Sequence, residues 1–135
     1  MSNELAQKSA TELVALIRRR EVSPVEVVDA HLRAIERINP AINAIVTIAN
    51  DVRERAIEAE KAFIARAELG SLHGLPITIK DTIDTAGLRT TSGSRIRAQY
   101  VPQQDAPAVA RLTPRSTSAA SSFARPSLSP KKNAS

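Results

Sequence analysis

The stretch HGLPITIKDTIDTAGLRTTSGS, residues 73–94, decides the reading of this chain. Leu75 to Ile79 is a short apolar run with Pro76 near its start, where a missing N–H is tolerable, and it predicts a buried strand. Lys80 ends the run and is followed by Asp81 and Thr82. From Thr82 to Tyr100 the pattern turns to Gly87, Gly93 and a cluster of Thr and Ser, which predicts a turn-rich loop. Sites in α/β sheets form at strand ends, so Lys80 is the candidate functional residue. A lysine in a poorly solvated setting has its ammonium form disfavoured, and a neutral amine can act as a base toward a serine hydroxyl. Read locally, a solvated Lys80–Asp81 surface pair accounts for the same residues.

Upstream of this stretch, helix signals come in quick succession. Ser9 and Glu12 have capping-box spacing, and Leu13, Leu16 and Ile17 recur at helical intervals up to Arg18, Arg19 and Arg20. That basic run complements the negative end of the helix more simply than it forms an anion patch. Ser23 as N-cap, Pro24 at the first helical position and Glu26 open a second helix, with Val27, Val28, His31, Leu32, Ile35 and Ile38 on one stripe. Its end is expected at Asn39-Pro40, because a residue before proline is pushed out of the α region. His31 reads as a structural histidine on or beside that stripe. Ile42 to Ile48 reads as a buried strand and Asp51 to Leu69 as a long helix ended by Gly70. Helix alternating with apolar strand points to an α/β layered sheet. A further helix is expected from Asp105 to Leu112.

Beyond Leu112 the composition shifts. All 14 acidic residues of the 135-residue chain lie before Thr113, where they face 15 basic ones; Arg115, Arg125, Lys131 and Lys132 supply the rest of the net +5. Residues 113–135 hold no Gly and few large apolar side chains but abundant Ser and Pro, so they cannot bury enough surface to offset ordering entropy. Two units follow: 1–112, and a disordered basic tail over 113–135. There is no Cys and only two His, far apart, which gives no support to a thiolate, redox or zinc site; no cofactor and no metal are expected. Met1 to Glu12 lacks the basic start and apolar run of a signal peptide, and no segment approaches membrane-spanning length, so a cytoplasmic address without a membrane partner is expected.

The string from His73 to Ser94 closely resembles the start of the amidase signature family. The Ser23-Pro24-Val25-Glu26 helix start, Ile38-Asn39-Pro40, the strand through Ile48 and the DAPAVARL run, residues 105–112, resemble the family in its usual order. The resemblance covers residues 4–112. It implies an α/β/α layered sheet, of which this chain would supply the N-terminal helices, two strands and the lysine loop. It also implies a Ser–cis-Ser–Lys hydrolase acting on a small-molecule amide, in which a second serine activates the nucleophilic one and is itself served by Lys80 as the acid/base relay. Only Lys80 is carried over. The serines of the family sit in Gly/Ser-rich segments further along, whereas the four glycines here (Gly70, Gly74, Gly87, Gly93) all fall on upstream turns. Ser121-Ser122 lacks flanking glycines and is no substitute. The chain by itself is therefore expected to be inactive. Gly87 and Gly93 with Thr90, Thr91 and Ser94 match a family loop beside the site, and read equally as turn residues with self-bonding hydroxyls.

The abrupt change after Leu112 suggests an out-of-frame tail. Shifting the codon windows of Ser122 to Ser129 by one base can encode a run such as Val-Leu-x-Lys-Thr-Glu-Phe-Val, which resembles the strand and Lys-Thr segment of the family. Two alternatives stand beside the amidase reading. One is the amidotransferase A-subunit, which shares the lysine motif. The other is a small non-enzymatic binding protein whose basic tail meets an acidic surface; four charges without aromatic interleaving make only a weak footprint, so no nucleic acid partner is expected.

Overall fold

Ser9 and Ser23 each open a helix by the same mechanism. The hydroxyl of Ser9 accepts from Glu12 N while the Glu12 carboxylate accepts from Ser9 N at 2.8 Å, and Ser23 and Glu26 repeat the exchange. Two orphan amide donors of each helix end are thereby satisfied. A computed structural model of the chain describes residues 2–65, 69–112 and 122–125. In chain order the helices are α1 (Ser2–Leu5), α2 (Ala10–Arg18), α3 (Pro24–Ile42), α4 (Val52–Ile64) and α5 (Pro107–Leu112); the strands are β1 (Thr47–Ile48), β2 (Ile77–Lys80) and β3 (Ser122–Arg125).

α3 is the hinge of the packing. Val27 joins Leu13, Ile17 and Leu75 on one side, and its neighbour Val28 joins Ala49, Val52, Ala56 and Leu88 on the other. Consecutive helix positions diverge by 100°, so one helix can serve two clusters. Each fully buried Val or Leu here contributes about 2 kcal/mol of transfer free energy. Ala56 and Ala59 face inward from α4 and leave little side chain between that helix and its neighbours. Asp29 and Arg53 bridge α3 and α4 through a bidentate pair, at 3.0 and 3.2 Å.

Several boundaries differ from the sequence reading: α4 ends at Ile64 with Ala65 as its C-cap, short of the expected Leu69, β2 begins at Ile77 and not Leu75, and α5 begins at Pro107 and not Asp105. α3 runs past Asn39-Pro40 to Ile42. The proline lacks only one donor in the last turn, and the Asn39 carboxamide compensates by bonding Ile45 N and Ile45 O, both at 2.8 Å. Asn43 then closes the helix in the left-handed region, φ 47°, donating to Asn39 O. The strand expected over Ile42 to Ile48 contracts to Thr47–Ile48, because its first residues are still helical or form that cap.

The described sheet has the order β1-β3-β2. β3 runs antiparallel to β1 and parallel to β2, from Ile77↔Ser122 to Lys80↔Arg125. A parallel neighbour needs a crossover, and α5 lies on the chain between β2 and β3. No strand was expected from residues 113–135; the slot between β1 and β2 has unpaired backbone groups on both sides, and an extended segment satisfies them whatever its side chains. The remainder of the expected tail lies outside the described residues. No described helix is long and apolar enough to cross a membrane.

Candidate functional site: the end of strand β2

Lys80 is the last residue of β2, exposed, while Ile79 before it is buried. The alternation of a half-buried strand thus carries the amine out of the sheet. The Lys80–Asp81 surface pair does not form. Asp81 is 1% exposed, and its carboxylate accepts from Thr91 N at 2.9 Å and from the Thr91 hydroxyl. Its backbone carbonyl accepts from Ser92 N, also at 2.9 Å. Among the described residues no carboxylate forms an ion pair with Lys80 and no serine hydroxyl is hydrogen-bonded to it.

The loop after Lys80 is ordered by three carboxylates. Besides Asp81, Asp84 takes Arg97 Nη2 at 2.9 Å and the Tyr100 hydroxyl, and Asp105 takes Ala86 N at 2.7 Å. Backbone bonds add to these: Gly87 N to Pro102 O and Thr90 N to Tyr100 O. Thr90 Oγ1 donates to Leu88 O, and Thr91 Oγ1 receives Gly93 N, so both hydroxyls are spent inside the turn. Ser92 and Gly93 adopt left-handed backbone there, at φ 52° and 66°.

Other candidates separate from Lys80. His31 Nδ1 donates to Val27 O at 2.8 Å within α3, and His73 Nε2 donates to Ala59 O at 2.7 Å, anchoring the chain before β2 onto α4. Both are structural. Ser122 pairs in register with Ile77, three residues from Lys80 and about 10 Å along the strand. Ser121 lies outside the described residues. Sequence reasoning missed the loop carboxylates and Arg89, whose Nη2 donates to Val46 O at 3.0 Å and so covers the backbone beside β1. These partners lie 10 to 43 positions apart, and no local motif announces them.

These features define a class: an α/β layered chain with an amine at the end of a parallel strand. Residues 26–118 match the Amidase family model, and the chain belongs to the amidase signature family. It is 40% identical over 106 residues to the glutamyl-tRNA(Gln) amidotransferase A-subunit of Methylococcus capsulatus, covering 78% of this chain and 22% of that protein. A bacterial aryl acylamidase of the amidase signature family superposes with a TM-score of 0.76 at 26% identity, covering 89% of this chain and 25% of the other. A peptide amidase in complex with the competitive inhibitor chymostatin gives 0.78 at 26% identity, covering 87% and 24%. The chain thus spans about a quarter of the length of these relatives.

Proposed function

We propose that this chain contributes the lysine of an amidase-type C–N hydrolase, with Lys80 as the acid/base relay. The observation that carries this reading is the turning of Asp81 into the loop: its carboxylate is occupied by Thr91, so the amine at the strand end is not engaged by its neighbour and stands open to a partner hydroxyl. In such chemistry a serine oxygen attacks the amide carbonyl, the amine departs with a proton delivered through the relay, and water frees the acid. Lys80 would move those protons. No cofactor enters, and the substrate is a small-molecule amide. The 135 residues alone supply no counterpart of the two serines and would turn over no amide.

The name of the Methylococcus relative favours a second reading, an amidotransferase A-subunit-like segment. Both readings place the protein in the cytoplasm. The division at residue 112, with an out-of-frame tail behind it, belongs to the same proposal. Sequencing the coding DNA past Asp105 tests that part: a shifted frame that meets an early stop overturns it.

Grafting residues 1–112 in place of the matching segment of the Methylococcus protein tests the role of Lys80. The hybrid should hydrolyse amides, and Lys80→Ala should cost roughly 10²–10⁴-fold in kcat, the range of a lost acid/base group. A folded hybrid that keeps its rate with Ala at position 80 would overturn the assignment.

A further inference from the structure

A cavity lies away from Lys80, between the β1–α4 turn and the loop from Thr85 to Arg89. It has a volume of about 410 Å³, and its walls include Ile48, Asn50, Arg55, Leu88, Arg89 and Val101, whereas Lys80 takes no part in it. We propose that this cavity binds a small organic carboxylate with a short apolar tail.

The charge of the site is set by two guanidinium groups with different fates. Arg55 is paired with Asp51, Nε to Oδ2 at 2.8 Å. Arg89 uses Nη2 on two neutral oxygens, Val46 O at 3.0 Å and Thr47 Oγ1 at 3.4 Å. No described carboxylate forms an ion pair with it, and its Nε and Nη1 have no acceptor among the described residues. Among the described residues Arg89 is therefore a cation without a carboxylate partner, which fits a monoanion better than a polyphosphate. The planar fork of a guanidinium matches the two oxygens of a carboxylate, and its bond to Val46 O fixes the plane in advance.

The remaining wall explains the apolar tail. Ile48 and Val101 are 39% and 41% exposed, and the buried Leu88 lines the cavity with them. No atom lies within 4 Å of where a side chain on Gly87 would begin, so the cavity is open along that backbone. Small-ligand sites are mostly apolar concavities with a few placed polar groups, and this volume lies inside their usual range. The proposal is independent of the role of Lys80, since the two sites share no residue.

Titration of the ¹⁵N-labelled full chain with butyrate, with its neutral isostere butyramide and with inorganic phosphate tests the site. Butyrate should give saturable amide shifts confined to residues 49–55 and 85–89, with a Kd on the order of 1–10 mM. Butyramide should give none, and Arg89→Lys, which keeps a charge but loses the fork, should weaken butyrate by about tenfold. Equal shifts with butyramide would overturn the proposal, as would phosphate binding as tightly as butyrate. Absence of saturation by roughly 50 mM butyrate would do the same. Because the three ligands are compared on the unaltered chain, the outcome does not depend on the folding of the variant.

Discussion

Asp81 and Thr91 are ten residues apart, yet the buried carboxylate of one holds both the amide and the hydroxyl of the other. This contact turns the carboxylate away from Lys80 and closes the loop that follows it. Asp81→Ala would leave the Thr91 amide and hydroxyl unpaired beside a buried void, at a cost of about 2–3 kcal/mol. Asp81→Asn keeps an acceptor and a donor in place and should lose closer to 1 kcal/mol. Urea denaturation of the three proteins checks the order; equal midpoints for the alanine variant and the parent would show that this contact stabilises nothing.

Gly74 and Gly87 both have positive φ, 79° and 73°, but they differ in what a side chain would meet. A Cβ on Gly74 would stand 2.9 Å from Pro24 Cγ and 3.2 Å from Pro24 Cβ, at the buried start of α3; one on Gly87 would meet open space. Gly87→Ala should therefore cost only the backbone term, about 1 kcal/mol. Gly74→Ala adds overpacking against a proline ring that cannot rotate away, for a total of about 3 kcal/mol. Thermal melts should separate the two clearly, and equal losses would mean that the seat of β2 on α3 yields more easily than the packing suggests.

What was legible in the sequence is what short-range chemistry dictates. Ser9/Glu12 and Ser23/Glu26 needed only a spacing of three, and both formed as read. The exit of Lys80 from a strand followed from one apolar run. The extension of α3 past Pro40 was not legible, because it depends on Asn39 reaching Ile45 six residues on. The loop after Lys80 was read as turns, correctly for its glycines, but its order comes from Asp84 with Arg97 and Asp105 with Ala86, pairs that only the closed chain brings together. β3 was hidden for another reason: Ser-Phe-Ala-Arg has little strand preference, and its place is set by the open slot between β1 and β2.

Arg20 occupies a position that usually belongs to glycine. It follows the C-cap of α2 at φ 59°; its N–H bonds Ile17 O and the N–H of Glu21 bonds Leu16 O, the paired contacts of a Schellman ending. Its guanidinium also stands 5.4 Å from the centre of the Phe63 ring on α4. Relief of the left-handed strain would favour Arg20→Gly by roughly 1 kcal/mol, while an exposed cation–π contact is worth about 0.5–1 kcal/mol. The two nearly cancel, so the single variant should be close to neutral. In a Phe63→Leu background the same change should stabilise by about 1 kcal/mol. A double-mutant cycle without such coupling would show that the ring contributes nothing to holding Arg20.

Glu12 gives the fold a dependence on acid at its first capping box. Hydrogen bonds from the Ser9 side chain and then the Ser9 amide hold its carboxyl below the ordinary glutamate value. A carboxylate depressed in the folded state stabilises that state fully above its unfolded value and loses the contribution as pH falls through the folded one. The start of α2 should therefore fray on acidification, before the core opens. Amide exchange at Leu13 and Val14, followed from neutral to acidic pH, should quicken across that window in the parent chain. In Glu12→Gln, which keeps an acceptor without a titrating proton, exchange at these amides should follow only the intrinsic pH trend; an identical profile in both proteins would dissociate the fraying from Glu12.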